Sequence, residues 1–166
     1  MTKRFPTVYM AGPDVFQPDY ADYKLRLKQY CEQLGLTALC PGDDVVEGDS
    51  REAISQGIFE LNMALIREAD YIAANVANFR GCEPDSGTVF EIGYAVGLGK
   101  KVWCYNTPAI DLLAQVPQAR PGFDQDGMLI EDFGLPRNLM IAHACTLVRG
   151  PVQACLEMIA HSHQQT

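Results

Sequence analysis

Asp85-Ser86-Gly87-Thr88-Val89-Phe90-Glu91-Ile92-Gly93-Tyr94-Ala95-Val96-Gly97-Leu98-Gly99-Lys100 reads as the end of a loop running into a helix. Asp85 or Ser86 is placed to cap it, so the helix opens at about Gly87. Val89, Phe90, Ile92, Tyr94, Ala95, Val96 and Leu98 spread around the whole helical circumference, the pattern of a helix buried on every side. Gly87, Gly93, Gly97 and Gly99 weaken such a helix and so predict close backbone approach. One carboxylate, Glu91, sits inside this apolar run. An ionised carboxylate is costly to bury without a partner, but Glu91 lies within about two turns of the helix N-terminus, where the dipole favours an anion. Position alone leaves two readings level: a buried salt-bridge residue, or a nucleophile kept ionised.

Outward from this helix, Asp70–Val76 on one side and Lys101–Tyr105 on the other are short apolar strands, the first joined to the helix by a polar loop from Ala77 to Ser86. The same alternation runs through the chain. Thr7–Ala11 is a first buried strand, ended by Gly12-Pro13, and Leu36–Cys40 a second, ended by Pro41-Gly42. Helical periodicity marks Tyr20–Leu34, stopped by Gly35, and Ser50–Ala69, capped by Ser50 with Ile54, Ile58, Leu61, Leu65 and Ile66 inward. Pro108–Gln115 is a short helix, Pro117–Pro136 a long loop rich in Gly, Pro and Asp, and Asn138–Ala142 one helical turn. Cys145–Val148 is a fifth strand, Pro151–Ala160 the last helix, and His161–Thr166 a frayed tail. Five strands apolar on both faces, alternating with helices, predict a single α/β domain over residues 1–166. Its five-stranded parallel sheet is flavodoxin-like, in the order 2-1-3-4-5, with helices on both faces. Ligands of such sheets bind beyond the carboxyl ends of the strands, near the reversal of strand order.

Composition narrows the chemistry. The 166 residues carry a net charge of −8, which repels phosphate backbones and anionic lipid, so neither nucleic acid nor membrane is an expected partner. No apolar run approaches a membrane span, and Met1–Pro6 lacks the apolar segment of a signal peptide, so a cytoplasmic location is expected. The six cysteines form no C-x-x-C pair and read as free thiols, most of them buried. The face at the strand ends gathers Tyr9, Asp14, Asp43, Asp44, Asn62, Asp85 and Glu91, with no His or Cys at ligand spacing to suggest a metal. The His161-x-His163 pair belongs to a solvated tail, and His143 reads as a satisfied core or interface histidine. No phosphate-binding glycine loop and no acyl-transfer signature is present. Carboxylate chemistry remains, and glycosyl transfer needs little else.

Three segments carry a family resemblance: Val8-Tyr9-Met10-Ala11-Gly12-Pro13, Phe79-Arg80-Gly81-Cys82-Glu83-Pro84-Asp85-Ser86-Gly87-Thr88-Val89-Phe90-Glu91-Ile92-Gly93-Tyr94-Ala95, and Phe133-Gly134-Leu135-Pro136-Arg137-Asn138-Leu139-Met140. Together they resemble the nucleoside 2-deoxyribosyltransferases, in the branch with an F-R-G-x-E-P-D-x-G-T motif. The resemblance implies that Glu91 is the nucleophile attacking C1′ of a 2′-deoxynucleoside. A covalent deoxyribosyl-enzyme would form, and a second nucleobase would then attack with retention. It implies that Tyr9 holds that glutamate and that Asp85 binds the 5′-hydroxyl. It implies that Asn138 is supplied by a neighbouring subunit to the sugar and that Met140 shapes the site, which makes the enzyme a homodimer or larger with shared sites. The residues alone would read Tyr9 as a core aromatic and Asp85 as a helix cap. Gly12, Asp43, Asp44 and Gly87 complete the expected substrate-binding set. The implied partners are 2′-deoxynucleosides and free nucleobases, and no cofactor is required. One departure stands out: many members carry an aspartate where this chain has Asn62, which can hydrogen-bond a base but cannot protonate it as a carboxylic acid would. The competing readings are an N-glycoside hydrolase of the same family, and a non-catalytic nucleoside sensor on the same fold.

Overall fold

The computed structural model describes residues 4–165, so Met1–Lys3 of the N-terminal reading and Thr166 of the tail lie outside it. Among the described residues the strands are β1 (Thr7–Ala11), β2 (Thr37–Leu39), β3 (Tyr71–Asn75), β4 (Lys101–Tyr105), β5 (Gln118–Arg120), β6 (Phe123–Asp124) and β7 (Thr146–Leu147). The helices are α1 (Tyr20–Gln33), α2 (Arg51–Glu68), α3 (Ser86–Gly97), α4 (Leu112–Gln115), α5 (Leu139–Ala144) and α6 (Val152–Gln164), with a 3₁₀ turn at Pro13–Phe16. Five strands pair in parallel in the order β2-β1-β3-β4-β7, the expected order with β7 as the fifth strand.

Alternation along the strands divides the core into two layers. Val8, Met10, Ala73, Trp103 and Tyr105 face α1 and α6, packing on Leu27, Cys31, Leu156 and Ile159. Tyr9, Ala11, Ile72, Ala74, Val102 and Cys104 face α2, α3 and α5, packing on Ile66, Ile92, Ala95 and Ile141. Local signals set the helix limits. Ser50 accepts from the Ala53 amide at 3.1 Å, and Gly35, with φ of 72°, turns the chain out of α1.

Several expectations are corrected. The helix α3 is not buried on every side: Phe90 is 55% exposed and Leu98 45%, while Thr88, Ile92 and Ala95 are buried. Its glycines do not all mark close approach. Gly93 and Gly97 face open space, and Gly99, with φ of 73°, ends the helix instead. Ile58 is exposed rather than packed inward, because the first half of α2 stands clear of the sheet and walls a cavity. The long loop contains the antiparallel pair β5–β6, steadied by Asp124, whose side chain accepts from the amides of Asp126 at 3.0 Å and Met128 at 2.8 Å. The C-terminal tail is helical through Gln164, with His163 Nδ1 3.0 Å from the Tyr71 hydroxyl. His143 is exposed, not core. Cys31, Cys40, Cys104 and Cys155 are buried free thiols, while Cys82 and Cys145 are half-buried and also free.

Candidate active site

The strand order reverses at β1, which has β2 on one side and β3 on the other. A cavity of about 500 Å³ opens there, beyond the carboxyl end of β1, within the size range of small-molecule sites. The turn after β1 supplies Gly12, Val15 and Phe16, and the loop after β2 supplies Pro41, Gly42, Asp44 and Val46. Ile58, Leu61 and Asn62 come from α2, and Asp85, Gly87, Thr88 and Glu91 from the start of α3. Sequence reasoning missed Phe16, Val46 and Thr88 as walls, since each is ordinary for its loop or helix position.

Gly12 is required by space: a Cβ there would lie 2.7 Å from Asp14 Oδ2 and 2.8 Å from Asn75 Cβ. Asp14 itself is not among the residues that line the cavity. It accepts from Asn75 Nδ2 at 2.9 Å and from the Tyr105 hydroxyl at 3.1 Å, tying the turn to the ends of β3 and β4.

Tyr9 is the third residue of β1 rather than its last, and its buried hydroxyl donates to Glu91 Oε1 at 2.6 Å. Burial is the largest influence on Glu91 and pushes its carboxyl up, the Tyr9 hydrogen bond partly opposes this, and the Asp85 charge adds to it, leaving Glu91 at about 7. Burial and the neighbouring Glu91 push the Tyr9 phenol up, so it remains a neutral donor. Glu91 makes no salt bridge among the described residues. The salt-bridge alternative therefore lapses, and among the described residues Glu91 Oε2 accepts no hydrogen bond. Since only the anion can attack, kcat/KM of any reaction through Glu91 should rise about tenfold per pH unit below ~7 and level off above it. A profile flat from pH 5 to 8 would contradict this.

Asp85 is both cap and wall. Its Oδ2 accepts from the Thr88 amide at 2.9 Å and the Thr88 hydroxyl at 3.0 Å, leaving Oδ1 for a ligand. Gly87 is held close, since a Cβ there would lie 3.1 Å from Asp85 Oδ2.

The two loop aspartates separate. Asp44 lines the cavity. Asp43 is not among the lining residues: it accepts from the Cys40 amide at 2.9 Å and pairs with Lys28 at 2.7 Å and Lys24 at 3.2 Å. Burial works against the Asp43 anion, but these partners outweigh it and hold the carboxyl below its usual range.

Asn138 and Met140 lie outside this cavity, in a separate cleft with Glu83, Pro84, Ser86, Val89 and Ile141. Asn138 caps α5, its Oδ1 accepting from the Met140 amide at 3.0 Å and its Nδ2 donating to Glu131 at 2.6 Å. Met140 is 71% exposed. Arg137, another residue given no role from sequence, is fully buried and clasps the loop that ends in Asp85. Its guanidinium donates to the Val76 carbonyl, to the Cys82 carbonyl at 2.8 Å, to Asn78 Oδ1 and to Gln115 Oε1. Its place beside Pro136 and Asn138 was the available signal.

This sheet, with a carboxylate and a phenol meeting at its switch point, belongs to a defined class. Residues 8–140 match the family model described as nucleoside 2-deoxyribosyltransferase, and the chain belongs to that family. The fold is similar to that of a 2-desoxiribosyltransferase from Leishmania mexicana, with a TM-score of 0.80 and 33% identity over 95% of this chain and 99% of that one. An uncharacterised protein of Schizosaccharomyces pombe is 28% identical over 82% of this chain and 75% of its own length. A conserved protein from Enterococcus faecalis shares the fold at 18% identity, with a TM-score of 0.58 over 97% of this chain and 98% of that one. Among the described residues no helix is long and apolar enough to cross a membrane, and no group of three or more His, Cys, Asp or Glu is placed to hold a metal ion.

Proposed function

We propose that the chain transfers 2-deoxyribose between nucleobases through a covalent deoxyribosyl–Glu91 intermediate. The observation that carries this reading is the 2.6 Å bond from the Tyr9 hydroxyl to Glu91 Oε1 on the wall of the cavity. With Oε1 so held, Oε2 is the atom that attacks C1′. The C1′–N bond breaks, its electron pair leaves with the base, and the base takes a proton. A ring nitrogen of the incoming base then attacks C1′ and gives its proton back to the group that protonated the first base, the C1′–Oε2 bond breaks with its electron pair returning to Glu91, and two inversions give retention. Asn62 cannot supply the proton as an acid, so it comes from Asp44 or from water in the cavity. Asp85 Oδ1 accepts from the 5′-hydroxyl of the sugar.

Incubation with 2′-deoxyinosine and free adenine tests the reading. New 2′-deoxyadenosine is the expected product. Free deoxyribose without new nucleoside would make the protein a hydrolase, and no consumption of any deoxynucleoside would leave a binding protein.

The site is completed in this reading by a second copy, because Asn138 and Met140 face a cleft away from Glu91 of their own chain. The exposed apolar side chains Phe90, Phe133 and Met140 would then lie at the subunit contact. Replacing Asn138 by serine keeps a capping oxygen on α5 and removes the amide. Asn138→Ser and Glu91→Ala proteins should each be inactive alone and recover a fraction of activity on mixing, through hybrid sites. Absence of recovery, with subunit exchange demonstrated by mass, would place Asn138 in its own chain's chemistry.

A further inference from the structure

The inference concerns what holds the aromatic wall of the cavity, and it rests on the nucleoside reading above. Phe16 and Tyr20 are the aromatic rings among the lining residues. The Tyr20 hydroxyl is fixed by donating to the Pro41 carbonyl at 2.9 Å. Phe16 has no such tie: it ends a four-residue 3₁₀ turn, its side chain forms no hydrogen bond, and it is 60% exposed. A ring so placed keeps one plane only if something packs on it. The Phe79 ring does so, with centroids 5.6 Å apart and planes 17° from parallel. The Arg80 guanidinium lies over both rings, 4.6 Å from the Phe79 centroid and 5.6 Å from that of Phe16.

Arg80 reaches that position through an unfavourable backbone. Its φ is 54°, in the left-handed region, where a long side chain is costly. Arg80 is exposed and forms no salt bridge among the described residues, and neither it nor Phe79 lines the cavity. Backbone strain of this kind clusters at functional sites, where neighbouring contacts hold it in place. We propose that Arg80 is a positioning residue: it clamps the Phe79–Phe16 stack and so keeps the Phe16 ring in a fixed plane as a wall for the nucleobase. A planar cation suits this task, since it is attracted to aromatic faces and needs no carboxylate to hold it there.

The test separates stability from binding. Arg80→Gly removes both the strain and the clamp. Relief of strain offsets the lost cation–π contact, so Tm should stay within about 3 °C of the parent protein's. In Glu91→Ala protein, where turnover is removed, calorimetric binding of 2′-deoxyadenosine should nevertheless weaken about fivefold on adding Arg80→Gly. Phe16→Leu, which removes the wall, should weaken it about tenfold, and Arg80→Gly added to Phe16→Leu should change it by no more than about twofold, because the clamp then has nothing to hold. With Glu91 intact, Arg80→Gly should raise KM about fivefold and leave kcat within about twofold, since Tyr9 and Glu91 are untouched. Should Arg80→Gly lower Tm further, Arg80→Asn, which also tolerates this φ, repeats the cycle. Unchanged affinity in Arg80→Gly, or an undiminished loss on top of Phe16→Leu, would overturn the assignment to Arg80 alone. No binding of 2′-deoxyadenosine to Glu91→Ala protein would overturn it together with the nucleoside reading, and failure of deoxyribosyl transfer shows separately, in the incubation with 2′-deoxyinosine and adenine.

Discussion

Glu91→Gln should lower deoxyribosyl transfer by about 10⁴-fold or more while leaving a folded protein. Glutamine keeps the shape and can still accept from the Tyr9 hydroxyl, whose bond to Oε1 measures 2.6 Å, but it cannot form the ester to C1′. The same substitution should raise stability at pH 8. The folded carboxyl sits at about 7 against an ordinary 4.5, so the native state holds a proton that the unfolded chain has already lost. The contribution of Glu91 is therefore fully present below about pH 4.5 and is lost as pH rises to ~7, by up to ~3 kcal/mol. Chemical denaturation of both proteins at pH 4.5 and pH 8 checks this: the variant should gain on wild type at pH 8 relative to pH 4.5. Turnover near the wild-type rate in the folded variant would remove Glu91 from the chemistry. An equal stability difference at both pH values would mean its carboxyl is not held protonated.

The second large effect concerns the far end of the sugar. The wild-type protein should use 2′-deoxynucleosides and discriminate by about a hundredfold or more against their 5′-monophosphates. Asp85 spends one oxygen on Thr88, with bonds of 2.9 and 3.0 Å, and lines the cavity, where a carboxylate can only accept. Two unit charges ~4 Å apart at an effective dielectric of about 20 repel by roughly 4 kcal/mol, and solvent reduces that at this half-open position. Serine can cap α3 and can donate to a phosphate oxygen. Asp85→Ser should therefore weaken use of 2′-deoxyinosine and improve, in relative terms, use of its monophosphate. The measurement is kcat/KM for both substrates with both proteins, and equal use by the wild type would show that Asp85 does not face the 5′ position.

The sheet was legible because its signal is local and repeated. Each strand is a short apolar run ended by Gly, Pro or Asn, and α2, α3, α4 and α5 each carry a side-chain cap, so the alternation pointed to the parallel order. What failed was any inference from apolarity to the interior. The periodicity of α3 and of the first half of α2 shows which side chains avoid water, not what covers them, so Phe90 and Ile58 were placed inward. The β5–β6 pair was invisible because Gln118–Arg120 and Phe123–Asp124 show no apolar alternation and are held by turn bonds. At the site, Glu91 stood out as a lone carboxylate in an apolar helix. Its contact with Tyr9 spans 82 positions of sequence, and no local pattern carries it. Asp43 and Asp44 are adjacent and alike in sequence, yet one is fixed by two lysines and the other lines the cavity.

The two lysines on Asp43 have a counterpart across the cavity in Arg137, and the two fastenings differ in kind. Lys24 and Lys28 hold the Pro41–Asp44 rim by ion pairs within reach of water, with 20% and 37% of their side chains exposed. Salt screens such pairs, and acid removes them. Arg137 holds the opposite rim by hydrogen bonds to carbonyl and amide oxygens, fully enclosed and with no carboxylate among its bonded partners. Neither ionic strength nor mild acid reaches that clasp. The cavity thus has one soft jaw and one fixed jaw: changes of solution loosen the side bearing Asp44 and Val46, while the side at Asp85 keeps its place.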